Sequence, residues 1–257
     1  MYGILIDVTK CTACEKCVVA CVERNGGDRR VAERDRAVTV DGLSADRKST
    51  VLKVADGRFA RKACMHCLEP SCVSACLVGG LTKTPEGPVV YDRDKCIGCR
   101  YCMLACPFHI PRYEWDNTIP YVAKCDLCFD RIAQNQQPAC VGACPEGALK
   151  FGDRDTLLRE AQELIRRDPA YRNHVWGEKE FGGTSVMYIA DVDLTELGWP
   201  GNDAAAIPSL TEPLVHTTPF IGFGVGLGLI GLNWIVKRRN ELMGQDRKKQ
   251  QGEEHHD

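Results

Sequence analysis

The chain has no surplus of charge of either sign, no cysteine outside a pattern, and no long apolar run ahead of its first motif. Each absence excludes something. The 33 Lys and Arg are matched by 35 Asp and Glu, a formal net charge of -2, which removes the electrostatic footprint of a nucleic-acid-binding protein. Met1-Tyr2-Gly3-Ile4 runs straight into a cysteine loop, so no secretory or twin-arginine signal is expected within this sequence. The aliphatic core expected between residues 1 and 150 is modest for a chain long enough for one large or two small domains. Something other than apolar burial must hold part of that region together.

What is there in place of a larger core is sixteen cysteines in four quartets. Cys11-Cys14-Cys17-Cys21 and Cys96-Cys99-Cys102-Cys106 have the spacing C-x2-C-x2-C-x3-C of a bacterial 4Fe-4S ferredoxin. Cys64-Cys67-Cys72-Cys76 and Cys125-Cys128-Cys140-Cys144 keep the opening C-x2-C and the closing C-x3-C around a longer middle gap. Thiolates this close in sequence are directed at one small volume, which suits a metal centre and not a network of long-range disulfides. Such clusters are built where reductant and assembly machinery are present, so insertion is expected in the cytoplasm. Four 4Fe-4S clusters are the expected cofactors. Taken alone, the Cys125 quartet also fits a zinc ribbon; beside three other quartets the cluster reading is preferred. A 3Fe-4S centre needs a ligand replaced or missing, and all sixteen cysteines are present.

Strand patterns show how the quartets pair. Between Cys76 and Cys96, Leu81-Thr82-Lys83-Thr84, the turn Pro85-Glu86-Gly87 and Pro88-Val89-Val90-Tyr91 predict a short hairpin. Quartet, hairpin, quartet is the plan of a complete two-cluster ferredoxin, which leaves the first and fourth quartets as partners. Gly3 to Asp7, before Cys11, and Gly147 to Phe151, after Cys144, predict strands that pair as the same hairpin cut open. In two-cluster ferredoxins three cysteines of a run hold one cluster and the fourth reaches across to the other. The expected sets are therefore Cys11, Cys14, Cys17 with Cys144; Cys125, Cys128, Cys140 with Cys21; Cys64, Cys67, Cys72 with Cys106; and Cys96, Cys99, Cys102 with Cys76. Pro107 and Pro145 follow their remote cysteines as in the ferredoxin run, whereas Val22 and Leu77 stand in the other two places.

The expected fold is α+β: two nested bacterial-ferredoxin-like two-cluster modules, the outer one circularly permuted, plus a single C-terminal transmembrane helix. The outer module comprises 1–21 and 125–151, with an insertion at 22–63, the inner module at 64–106 and a connector at 107–124. An extension of helix, strand and linker covers 152–218, the membrane helix 219–237 and a polar tail 238–257. His66 and His109 lie beside cysteines but are read as packing or hydrogen-bonding groups, because the ligand count is complete. Gly98 and Gly142 are candidate turn glycines near sulfur. In the insertion, Arg29, Arg30, Arg34, Asp35 and Arg36 make a charged stretch read as a solvated loop. Asp155 to Arg167 predicts an amphipathic helix with Asp155 as N-cap and Asp168-Pro169 as its stop. Val186 to Ile189 reads as a strand, followed by an extended linker.

Phe220 to Val236 carries no formal charge over seventeen residues and is followed directly by Lys237-Arg238-Arg239. At a rise of about 1.5 Å per residue it lies at the short end of what spans a bilayer. Its five glycines suit a soluble helix poorly, and the basic flank is one-sided. Gly222 with Gly226 and Gly224 with Gly228 make faces on which another membrane helix could pack. The charge after the helix, with Glu212 before it, predicts a cytoplasmic C-terminus and a periplasmic cluster domain in the cytoplasmic membrane.

The quartets in this order, with Cys64-Met-His-Cys-Leu-Glu-Pro-Ser-Cys72, Cys96-Ile-Gly-Cys-Arg-Tyr-Cys102 and the stretch from Gly177-Glu178-Lys179 to Gly182-Gly183-Thr184, resemble the four-cluster iron-sulfur subunit of respiratory molybdopterin oxidoreductases. With its C-terminal helix the chain is similar to the beta subunit of membrane-bound formate dehydrogenase N and to the related subunit of a periplasmic uptake hydrogenase. The resemblance implies a non-catalytic electron-transfer subunit between a large catalytic subunit, molybdopterin or NiFe, and a membrane cytochrome b or other quinone-reactive subunit, in contact with lipid. It favours formate dehydrogenase as the parent enzyme. An uptake hydrogenase, or a quinol-fed reductase acting on polysulfide, nitrite or a sulfoxide, is the alternative.

Overall fold

A computed structural model describes residues 1–27, 41–115, 118, 120–199 and 205–253. Arg29, Arg30, Arg34, Asp35 and Arg36 lie outside the described residues. The described chain forms two units, Met1–Ser209 and Leu210–Asp257.

The first unit is built on a three-stranded sheet in which the first strand is central. β1 (Tyr2–Asp7) pairs antiparallel with β8 (Leu149–Asp153), with Ile4 opposite Phe151, and parallel with β9 (Val186–Ile189), with Ile4 opposite Val186. Being flanked on both edges and covered on both faces, β1 reads Ile-Leu-Ile without polar alternation, and Ile4, Leu5 and Ile6 are buried. One face carries the main core, in which Phe108 and Tyr188 each meet Trp199 edge to face. The other is covered by α6 (Arg154–Arg167), whose Leu157, Ala161 and Ile165 meet Leu5, Met187 and Ile189.

That amphipathic helix lies where the sequence places it, but its cap is Asp153 and not Asp155: the Asp153 carboxylate accepts from the Thr156 amide at 3.1 Å. Asp155 instead occupies the first turn. The cause is β8, whose last residue is Asp153, so the chain turns from strand to helix two residues early.

The inner hairpin forms as β4 (Leu81–Lys83) and β5 (Val89–Tyr91), with Thr82 opposite Val90. Its turn docks on the central sheet, the Tyr2 amide donating to the Glu86 carbonyl at 2.6 Å. A second hairpin falls in the insertion, β2 (Thr50–Ala55) against β3 (Arg58–Lys62). Arg58 clamps Asp191 with both Nε and a terminal nitrogen, tying this hairpin to the chain just after β9. Two-residue strands β6 (Arg112–Tyr113) and β7 (Val122–Ala123) pair in the connector.

The stretch after β9 is not the extended linker the sequence predicts. Leu194, Leu197 and Trp199 are buried in the main core, so apolar burial overrides the Gly and Pro signals there. The C-terminal helix is also longer than 219–237: α7 runs Ile207–Glu253, through Pro213 and Pro219. The Thr217 hydroxyl bonds back to the Pro213 carbonyl at 2.9 Å, and that of Thr218 to the Leu214 carbonyl at 2.7 Å, giving acceptors in this turn local donors. Among the described residues α7 contains the one segment, Ile207–Gly244, long and apolar enough to cross a membrane.

Candidate functional site

None of the sixteen cysteines is in a disulfide. They gather across the quartets. One cavity is lined by Cys11, Cys14, Cys17 and Cys144; a second by Cys21, Cys125, Cys128 and Cys140; a third by Cys76, Cys96, Cys99 and Cys102. The remaining four stand together: Cys64, Cys106 and Cys72 are the thiols whose charges bear most on Cys67. Three cysteines of one run and the last of its partner thus meet at each place.

Short elements produce this arrangement. In the first run a helix carries the fourth cysteine away from its siblings: α1 (Lys16–Arg24) places Cys21 in the second cavity while Cys17 lines the first. Single-turn helices do the same elsewhere. Cys72 lies on α2 (Ser71–Ser74) and Cys102 on α3 (Tyr101–Ala105), each with the fourth cysteine of its run just beyond the end. In the last run, α4 (Phe129–Ala133) follows Cys128, and α5 (Ala139–Gly142) carries Cys140 and is capped by Ala143, directly before Cys144. Gly142 is a helical residue of α5 with its added Cβ position against the Gln137 amide, so it makes no turn around sulfur. Gly98 does, at φ +72°. Equivalent left-handed residues follow the first cysteine of each of the other runs: Ala13, His66 and Leu127, at φ 56°, 49° and 58°. Backbone amides in and near these loops approach sulfur. Gly98 N lies 3.5 Å from Cys96 Sγ and Leu127 N 3.4 Å from Cys125 Sγ. Gly80 N lies 3.2 Å from Cys76 Sγ, and Ile110 N 3.5 Å from Cys106 Sγ.

Burial dominates the thiol chemistry. It pushes Cys17 and Cys102 up to about 11, and Cys72, Cys128 and Cys140 to about 12. As thiols these groups keep their protons near neutrality; as thiolates they need positive charge inside the cavity, which iron supplies. Among the described residues no three His, Cys, Asp or Glu are placed to hold one metal ion. The donors surround a volume with amides aimed at sulfur, and this set fits an iron-sulfur cubane.

His66 plays the part read for it. Buried His66 accepts through Nδ1 from the Val89 amide at 2.9 Å, and burial holds its basicity well below the ordinary range. His109 is exposed. The stretch from Gly177 to Thr184 wraps a buried carboxylate, Glu180, which accepts from the Gly177 amide at 2.9 Å and meets His174 at 2.6 Å. Its continuation joins the site to the sheet: Ser185 N and Val186 N donate to the carbonyls of His66 and Met65, while Ile4 N donates to the Ser185 carbonyl. Sequence reasoning missed two buried cations. Lys124 donates to the carbonyls of Val89 and Cys125, and Arg61 lines both outer cavities. Neither carries a motif in the sequence.

Residues 55–154 match the family model described as a 4Fe-4S dicluster domain. The chain is 32% identical over 277 aligned positions to the hydrogenase-2 operon protein HybA of Escherichia coli O157:H7, covering 93% of this chain and 84% of that one. It is 35% identical to a subunit of the anaerobic dimethyl sulfoxide reductase of Escherichia coli K12, over 67% of this chain and 83% of that one. Identity to the iron-sulfur subunit of the nitrate-inducible formate dehydrogenase of the same strain is 36%, over 72% and 66%.

Proposed function

This chain belongs to the family of iron-sulfur electron-transfer subunits of respiratory oxidoreductases, and from that premise we propose that it relays electrons between a large catalytic subunit and a quinone-reactive membrane subunit such as a cytochrome b. It transforms no substrate itself. The 4Fe-4S clusters supply one-electron uptake and release; the protein fixes where they stand and what surrounds them. The carrying observation is the grouping of three cysteines of one run with the last of another around each cavity.

On this reading the ligand sets are Cys11, Cys14, Cys17, Cys144; Cys125, Cys128, Cys140, Cys21; Cys64, Cys67, Cys72, Cys106; and Cys96, Cys99, Cys102, Cys76. The two outer sets belong to a permuted module formed by 1–21 and 125–151, and the two inner ones to 64–106. Pairing of β1 with β8 supports the first module, and pairing of β4 with β5 the second. Within α7, residues 219–237 cross the membrane as a single pass, with Lys237, Arg238 and Arg239 on the cytoplasmic side and the clusters in the periplasm.

For the catalytic partner, the cysteine pattern and the single C-terminal helix fit a formate dehydrogenase and an uptake hydrogenase alike, and the 36% identity to a formate dehydrogenase iron-sulfur subunit supports the first. The hydrogenase reading gains from the match to HybA, which runs over 93% of the chain against 72% for the formate dehydrogenase subunit. A detergent pull-down of the native complex with metal analysis of the large subunit decides between them: nickel marks a hydrogenase, and molybdenum or tungsten a molybdopterin enzyme. Recovery of the chain alone and fully loaded would reject the subunit role. Ligation is tested separately by Cys144→Ser, which is expected to disturb the cluster of Cys11, Cys14 and Cys17 by electron paramagnetic resonance. Disturbance confined to the Cys125, Cys128 and Cys140 cluster would reject the crossed sets.

A further inference from the structure

Arg61 is 3% exposed, and it sits on β3 opposite Val51. Its side chain lines the cavity of Cys11, Cys14, Cys17 and Cys144 and also that of Cys21, Cys125, Cys128 and Cys140. Other buried cations have plain acceptors. Lys124 donates to two carbonyls, Arg154 to the carbonyls of Thr184, Gly177 and Glu178, and Lys62 meets Asp41 at 3.4 Å. Arg61 has no ion pair with a described carboxylate, and its Nε has no hydrogen-bond partner. The groups that bear on its charge are the thiols of Cys140, Cys125, Cys17 and Cys21, drawn from both cavities.

A guanidinium stays protonated in proteins, so this is a permanent positive charge without solvent or a carboxylate to balance it. Such a charge is costly to bury unless anions face it. Two filled cavities, each ringed by four thiolates, are those anions. We propose that Arg61 is a positioning residue shared by the two outer clusters, holding them together electrostatically and raising the midpoint potential of both. The inference rests on the outer ligand sets given above. When an electron passes between these clusters, one is oxidised and the other reduced by the same electron; no bond forms or breaks, and Arg61 keeps its protons. Its charge eases the gain of negative charge on either side, so neither cluster becomes a deep trap relative to its neighbour. The backbone supports this placement, since the buried Tyr188 hydroxyl donates to the Arg61 carbonyl at 2.8 Å.

The test uses the full chain in its native complex, comparing wild type, Arg61→Met and Arg61→Lys by iron content and by redox titration followed with electron paramagnetic resonance. In Arg61→Met, two of the four midpoints are expected to move to lower potential while the other two stay, with Arg61→Lys close to wild type. If Arg61→Met instead loses only the two outer clusters and Arg61→Lys keeps them, the requirement for charge is equally supported. Unmoved potentials in a fully loaded Arg61→Met protein would overturn the proposal. So would an equal shift of all four, or a Lys variant as impaired as the Met variant. Absence of four clusters from the wild-type protein would defeat the ligand sets themselves, an outcome separate from any of these.

Discussion

At the scale of single residues, each cysteine run needs a left-handed residue two positions after its first cysteine, and only one of four is glycine. Ala13, His66 and Leu127 hold that conformation against the steric preference of an L-residue, a cost of order 1–3 kcal/mol each that the surrounding loop must overcome. Gly98→Ala, at φ +72° with open space around the new methyl group, is therefore expected to keep all four clusters and lose about 1 kcal/mol. A thermal scan should show a midpoint lower by about 2–4 °C with unchanged iron content. Gly177→Ala is a different case. At φ +93° its Cβ would meet the Thr184 hydroxyl and lie 2.8 Å from the Val186 carbonyl, a backbone atom that cannot step aside. We expect it to unfold the Gly177–Thr184 wrap, seen as sharply lower soluble yield than for Gly98→Ala. In the sequence these two glycines look alike, because neither a φ angle nor a neighbour's carbonyl is written in the residue itself. The cysteine spacing was legible for the opposite reason: the ligand pattern is local and repeats four times.

At the scale of elements, the strand at 2–7, its antiparallel partner at 149–153 and the 81–91 hairpin were readable from short apolar runs and turn residues. The strand at 186–189 was readable as well, but not its parallel place beside β1, since nothing in Val-Met-Tyr-Ile names a partner. The β2–β3 hairpin was hidden in a stretch whose charged composition suggested a loop. Two of its basic residues face ion-pair partners outside the hairpin, Arg58 with Asp191 and Lys62 with Asp41. Arg58→Ala is expected to loosen that hairpin without dissolving the central sheet. Hydrogen exchange should become faster for amides of Thr50–Ala55 and Arg58–Lys62 while those of β1 keep their protection; uniform acceleration would show that the clamp supports the entire unit.

At the scale of the molecule, the chain divides at Leu210 into a cysteine-bearing unit and a helix with exposed Phe220, Ile221, Phe223, Leu229, Ile230 and Trp234. Exposed apolar surface of this extent calls for lipid or another helix to cover it. Truncation after Leu210 is expected to release the protein from membranes while leaving iron content unchanged; retention of the truncated chain in the membrane fraction would mean that contacts with other subunits suffice. The order of β8, β1 and β9 in the sheet has a consequence for biosynthesis. Strand β1 leaves the ribosome with its partners some 140 and 180 residues downstream, a wait of roughly 10–40 s for the later one at ordinary elongation rates. The 81–91 hairpin and the cysteines around it can be complete well before then. Residues 2–7, made before either partner, are among the last to find their place, and until they do the nascent chain must be kept from oxidation and from pairing that strand elsewhere.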